Sequence, residues 1–410
     1  MSGSFFFFIL NFITIYQFII FILDNINIMI QFDEEDSILQ AKYAIREKRH
    51  PNQWPKCEKI DNKNSVNLFK SFQYKFPETL IIDKKDSIST KEFQEKIEKK
   101  STPALLRGYM EDWNCYKKTL SNGKDNEKEW TLEKLCTRNF INCVHFQCGV
   151  DKNGIDVSLN LREYMENYVI GCNDRNPMGI FDAVVMEHEE ANLIDDFASP
   201  SIFSDDDYLK YIQPISRPPF QWFIHGGMNA GTPVHQDPMG THAWNALCSG
   251  KVLWVLFHPS IPEDLLPTKS LDIGINNDDE DDDDDLWEDL YSWFYLELPE
   301  IRNEIKLYFD NNNNKEKNNN NTNDNDVDQG EWWYREIIQL PGEIVFIPSG
   351  WHQACINLEE STAITQNYCS KTNLGKCYSM MEDKYLANEW YSMVDIYEKN
   401  LIPKMGCRYC

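Results

Sequence analysis

Positive charge is scarce in this 410-residue chain: 40 Lys and Arg stand against 66 Asp and Glu, for a net charge of −26. No basic stripe interrupts that field, which argues against a surface that binds nucleic acid by neutralising its phosphates. A cysteine framework is also missing. The 12 cysteines are irregularly scattered and, in a chain this long, read as reduced, buried thiols rather than a disulfide scaffold. Cys407 and Cys410 have zinc-ligand spacing, but no second pair is present to complete a tetrahedral site. From Phe5 to Leu23 there is no charge at all, a run long enough for a membrane-spanning helix and hence a candidate anchor. No Lys or Arg precedes this run and no small-residue cleavage site follows it, which argues against a cleaved signal. Lys42, Arg46, Lys48 and Arg49 lie only on its C-terminal side, so an anchored chain would face the cytoplasm with its remaining domain.

What is present suits a substantial globular core: 42% of residues are hydrophobic and 13% aromatic. The composition marks an apolar segment 1–30 and an N-terminal wrap 31–84 of helices and loops; the main domain follows, with a C-terminal helix and tail at 381–410. Within the main domain, residues 270–330 form an insertion. Between Asn276 and Asp328 there are 18 acidic and four basic residues, so −14 of the net charge lies in that stretch. Asp278–Asp285 and Asn311–Asn325 have too little apolar surface to offset the entropy of ordering and are expected to be loops. Trp287, Leu290, Trp293 and Phe294 lie between them at helical spacing, as for a helix packed on the domain. The acidic surplus suits a solvated loop, or a protein partner with a basic segment.

Ser89 followed by Glu92 predicts a helix start with a capping box, and Phe93 and Ile97 then share one face. Short helices are also expected at Thr131–Leu135 and Leu159–Tyr168, and a strand at His145–Gly149. From Gln221 onward, short aromatic and β-branched runs separated by turn residues predict strands. They are Trp222–His225, Ala243–Leu247, Val252–Phe257, Arg335–Gln339, Ile344–Ile347 and Ala354–Asn357. Six or more such strands suggest a barrel or jelly roll.

Chemistry enters at Thr232-Pro-Val-His-Gln-Asp-Pro-Met-Gly-Thr241. Residues two apart on a strand face the same side, so His235 and Asp237 can converge on one ion. A third ligand must come from elsewhere, and His352 in Phe346-Ile-Pro-Ser-Gly-Trp-His-Gln353 is the candidate. Two imidazoles and a carboxylate on one face of an octahedral ion make the facial triad of non-haem Fe(II) oxygenases. Further segments occur in order: Pro103–Gly108, Trp130–Glu133, Ile180–Asp182, Arg217–Phe223, Trp244–Leu247, Gly250–Trp254, Pro341–Pro348 and Ala363–Asn367. At these residues, across roughly 85–380, the sequence resembles the JmjC (Jumonji C) family, and within it the lysyl-hydroxylase subgroup once described as the phosphatidylserine receptor.

The resemblance implies a mainly β fold with flanking helices, a double-stranded β-helix (cupin-like jelly roll) with an N-terminal helical wrap. It implies Fe(II) at His235, Asp237 and His352, with 2-oxoglutarate as co-substrate contacted by Thr232, Asn245, Thr365 and Asn367. The implied reaction hydroxylates or N-demethylates a protein side chain, lysine above all, using O2 and releasing succinate and CO2. Nucleus or cytoplasm follows from the family, membrane attachment only from residues 5–23. Two positions depart from the family pattern. The family lysine that pairs with the distal carboxylate of 2-oxoglutarate falls at Val252, with Lys251 one place early, and a family tyrosine falls at Gly179. A one-residue slip reverses the face of a strand residue, so Lys251 is expected to point outward. These departures keep a second reading open, a degenerate metal-binding JmjC protein that acts as a binding or scaffolding module. A receptor for anionic lipid fits poorly with so acidic a chain.

Overall fold

The computed structural model describes residues 79–397 except 117–125, 151–155, 170–176, 184–188, 190, 206, 214–215, 263–289, 318–333 and 382–383. The apolar run 5–23, residues 31–78, the acidic run 278–285, Trp287 and the two C-terminal cysteines lie outside the described residues. The chain divides into two units, residues 1–54 with 149–157, and residues 55–148 with 158–410. The site lies wholly in the second.

Thirteen strands are described. The first five are β1 (Leu80–Asp83), β2 (Ala104–Arg107), β3 (His145–Val150), β4 (Asp156–Asn160) and β5 (Gly179–Asp182). Next come β6 (Gln221–Gly226), β7 (Gly231–Gln236), β8 (His242–Ser249) and β9 (Val252–Phe257). The last are β10 (Tyr334–Gln339), β11 (Glu343–Ile347), β12 (His352–Asn357) and β13 (Ser361–Tyr368). Seven form one sheet in the order β1-β2-β11-β8-β13-β6-β5, four form a second in the order β10-β9-β12-β7, and β3 pairs with β4.

The two larger sheets share one apolar core. Ala243, Leu247, Val345, Ile347 and Ala363 of the seven-stranded sheet pack with Val252, Trp254, Leu256, Ile337 and Cys355 of the four-stranded one. Alternation along each strand fixes which residues face this interior. The opposite face of the smaller sheet is also covered. Leu253, Val255, Phe257, Ala354 and Ile356 pack against Leu290, Trp293, Phe294, Leu298 and Ile305 of the helical insertion. The insertion therefore carries the packed helix expected from its aromatic spacing, and this second cover buries all six residues of β9.

Two glycines allow close approaches. A Cβ on Gly231 would fall 2.0 Å from the Cys355 carbonyl oxygen, where β7 runs tight against β12. Gly250, at φ +91°, turns β8 into β9 where a Cβ would fall 2.2 Å from the Glu360 carbonyl oxygen.

Ser89 caps Thr90–Phe93 with the expected box, its side chain accepting from Glu92 N–H while the Glu92 carboxylate accepts from Ser89 N–H. Two expectations are corrected. Leu159 and Asn160 end strand β4, and the helix begins at Leu161 with the Asn160 side chain accepting from Glu163 N–H. The helix Leu298–Lys317 continues into the asparagine run expected to be loop. Extending an existing helix fixes one residue per hydrogen bond gained, so a mediocre helix former such as Asn is tolerated there. Of the segment expected to wrap the domain as helices and loops, the part from residue 79 to 84 is chiefly strand β1. No described helix is long and apolar enough to cross a membrane.

Candidate metal centre

Register decides which side chains can meet. Strand β12 lies between β7 and β9, and its pairings set His352 opposite Gln236 and Phe257, and Gln353 opposite His235 and Leu256. Directly opposed residues of an antiparallel pair project to the same face. Leu256 and Cys355 belong to the interior cluster, so His235 and Gln353 face inward. Phe257, Ala354 and Val234 pack on the outer cluster beneath the helical insertion, so His352 and Gln236 face that way. The contact between the Gln236 Nε2 and His352 Nδ1 atoms, 3.4 Å, joins the two outward residues. An irregularity in β7 returns Thr232 to the inner face, where its Oγ1 lies 3.3 Å from the Cys355 Sγ.

His235 and Asp237 therefore share the interior as expected, and His352 does not join them. Among the described residues no three His, Cys, Asp or Glu side chains gather closely enough to hold a metal ion. The misplacement has a simple cause. His352 and Gln353 are adjacent on a strand, so whichever one faces in, the other faces out.

The inward pair nevertheless fits a divalent cation. The His235 Nδ1 lies 2.8 Å from the Pro233 carbonyl oxygen, so its proton sits there and Nε2 keeps a free lone pair. The Asp237 carboxyl is held above the usual carboxylate range by burial, against the opposing pull of His235 and of hydrogen bonds to Gln353 and Asn367. A bound dication would favour its ionised form. Burial chiefly, and then the His235 and Lys376 charges, hold the His352 imidazole below its usual pKa. Adjacent strands bring the two rings near enough to sense each other even from opposite faces.

Residues expected to touch 2-oxoglutarate line the floor of the same interior. Asn245 on β8 pairs with Thr365 on β13, and both lie two residues from inward residues of the core and so share their face. The Asn245 Oδ1 is buried with no hydrogen-bond partner, so that amide has capacity to spare for a ligand. Thr365 donates its hydroxyl to the Trp244 carbonyl oxygen, 3.1 Å away. Asn367 donates its amide to the Thr241 Oγ1 at 3.0 Å and also bonds to Asp237, which ties the floor to the metal ligand. Val252 packs in the interior cluster with no charge to offer, and Lys251 points away, its Nζ 2.8 Å from the Glu359 carboxylate. At Gly179, a Cβ would meet only the His225 carbonyl oxygen and Ala230 at ordinary contact distances.

The comparisons with known proteins bear on this site. A bifunctional arginine demethylase and lysyl-hydroxylase, psr-1, of Caenorhabditis briggsae is 31% identical over 293 residues, 70% of this chain. Its Caenorhabditis elegans counterpart is 30% identical over 295 residues. A chicken 2-oxoglutarate and iron-dependent oxygenase, JMJD4, is 25% identical over 207 residues, 49% of this chain and 40% of its own. The chain belongs to the JmjC oxygenase family. It spans 61% of the length of the two psr-1 proteins. No family model matches it. The JmjC assignment accounts for the inward His-x-Asp pair and for the two-sheet architecture. Sequence reasoning missed Gln353, whose only signal was its alternation with Trp351 and Cys355, the other inward residues of that segment.

Proposed function

We propose that this chain is an Fe(II)- and 2-oxoglutarate-dependent oxygenase that oxidises a protein side chain, by lysine hydroxylation or arginine N-demethylation. The observation that carries the reading is the inward pair His235 and Asp237 in a chain about 30% identical, over 70% of its length, to proteins named for both activities. Bound iron would supply O2 activation coupled to conversion of 2-oxoglutarate into succinate and CO2. The protein's part is placement. His235 and Asp237 would hold the ion, Asn367, itself bonded to Thr241, braces Asp237, and Asn245 and Thr365 present polar groups to the same largely apolar interior. The acidic surplus favours a substrate segment rich in Lys or Arg.

Succinate release from 2-oxoglutarate and Fe(II) with Lys- and Arg-containing peptides tests the reading. Peptide mass separates the outcomes, an added oxygen marking hydroxylation and a lost methyl marking demethylation. Neither product from a metal-loaded protein would leave the non-catalytic binding module.

The missing cation yields a separate prediction. Val252→Lys places an ammonium on the inner face where the family has one, and 2-oxoglutarate should bind on the order of 10- to 100-fold more tightly. Calorimetry on the Mn(II)-loaded variant checks this. Unchanged affinity in a folded variant would mean that another group already meets the distal carboxylate.

A further inference from the structure

Gln353 is the inward residue of β12 at the level of His235, and 3% of its surface is exposed. Its side chain is hydrogen-bonded to the Asp237 carboxylate. Between an amide and a carboxylate only the NH2 group can donate, which assigns the Gln353 Nε2 to Asp237. The Oε1 is left, and it is buried with no hydrogen-bond partner. An amide oxygen left buried and unsatisfied is unfavourable, so such an atom at a ligand site calls for a partner. His235 faces the same way, with its Nε2 lone pair free, and Asp237 adjoins both residues, so an imidazole nitrogen and a carboxylate stand beside that oxygen.

We propose that the Gln353 side-chain oxygen, in place of His352, completes the metal site with His235 and Asp237. The NH2 group of Gln353 then orients the carboxylate that it helps to ligate the ion, as outer-shell groups do for ligands elsewhere. The set contains one imidazole nitrogen and two kinds of oxygen, one nitrogen short of the two-histidine triad. Carboxylate and carbonyl donors suit harder ions such as Mn(II) and Mg(II), and imidazole suits later transition ions. The site should therefore discriminate less than a two-histidine site between Mn(II) and Co(II). The inference rests on the reading of His235 and Asp237 as metal ligands, but not on turnover.

Mn(II) and Co(II) binding to the full chain, followed by calorimetry and by Mn(II) electron paramagnetic resonance, tests it, with His235→Ala as the background. His352→Ala should leave the Mn(II) affinity within about twofold, because that side chain never reaches the ion. Gln353→Ala should weaken it by roughly tenfold or more, and Gln353→His should tighten Co(II) by more than Mn(II). Should Gln353→Ala fail to fold, the contrast between Gln353→His and His352→Ala carries the test. Loss of metal in His352→Ala with retention in Gln353→Ala would overturn the proposal, as would binding no stronger than the His235→Ala background. Mn(II) binding that follows this order without any succinate formation would instead sink the oxygenase reading and leave the ligand assignment standing.

Discussion

Glu98→Ala is expected to lower the unfolding free energy by roughly 3–5 kcal/mol, the cost of leaving three buried hydroxyls without their acceptor. Glu98 ends the helical turn Gln94–Glu98 and is 3% exposed. Its carboxylate accepts the hydroxyl protons of Tyr368 at 2.7 Å, Ser370 at 2.6 Å and Thr372 at 2.8 Å. Truncation would leave those three donors facing a cavity, each costing on the order of 1 kcal/mol or more if it finds no replacement. The network extends to His242. Its Nδ1 accepts from Ser349 N–H at 2.9 Å, so the ring proton sits on Nε2 and is donated to the Thr372 Oγ1, also at 2.9 Å. Tyr368 and His242 each adjoin a member of the Asn367–Thr241 hydrogen bond beside Asp237. The variant should therefore bind Mn(II) more weakly as well as melt earlier. Urea denaturation and the metal titration report the two effects separately. A stability loss below about 1 kcal/mol would mean that water enters and satisfies the hydroxyls.

The legible parts of this molecule are those whose signal is local in sequence. Val252–Phe257 and Ile344–Ile347 announce strands through unbroken apolar runs, and Ser89 with Glu92 announces a helix start through reciprocal hydrogen bonds. His235 and Asp237 could be paired because two-residue spacing carries its own geometry. Lys251 could be turned outward by the same rule, and it meets Glu359 at the surface. Facing failed at β12 because both of its faces are apolar: Ala354 and Ile356 pack on the helical insertion, and Cys355 packs on the core. A strand covered on two sides loses the polar alternation that would tell His352 from Gln353. The pairings with β7 and β9 settle it, and neither can be read from residue spacing. The Glu98 network escaped for a related reason. Glu98 lies 270 or more residues from its three donors, and a buried glutamate at a helix end looks like any solvated one until Tyr368, Ser370 and Thr372 close over it.

His225→Gln is expected to relieve part of the protein's sensitivity to acid. His225 is fully buried on β6, its Nδ1 2.9 Å from the Thr362 Oγ1 and its ring edge-on to Tyr164. Its Nε2 has no hydrogen-bond partner, and burial pushes its pKa down from 6.5 to about 4. The unfolded chain then binds a proton that the folded one refuses. The resulting stability is fully present above about pH 6.5 and is lost as pH falls toward 4, by about 1.4 kcal/mol per pH unit and roughly 3 kcal/mol in all. His242, pushed down to about 3 by burial and then by Lys376, acts in the same direction. Asp207 acts in the opposite one. Burial raises its pKa to about 6 against hydrogen bonds from Cys369 and Leu209 N–H, so below that pH the folded state gains a proton first and is favoured. Raised Asp237 adds to that counterweight. The wild-type slope alone is therefore a cancellation and identifies no single residue. The difference between wild type and His225→Gln isolates one, because the opposing groups remain in both. Urea midpoints measured from pH 7.5 to 4.5 should give a stability difference that shifts in favour of the variant by about 1.4 kcal/mol per unit below pH 6.5. A difference independent of pH would mean that His225 is protonated equally in both states, with a counter-ion or water reaching its Nε2.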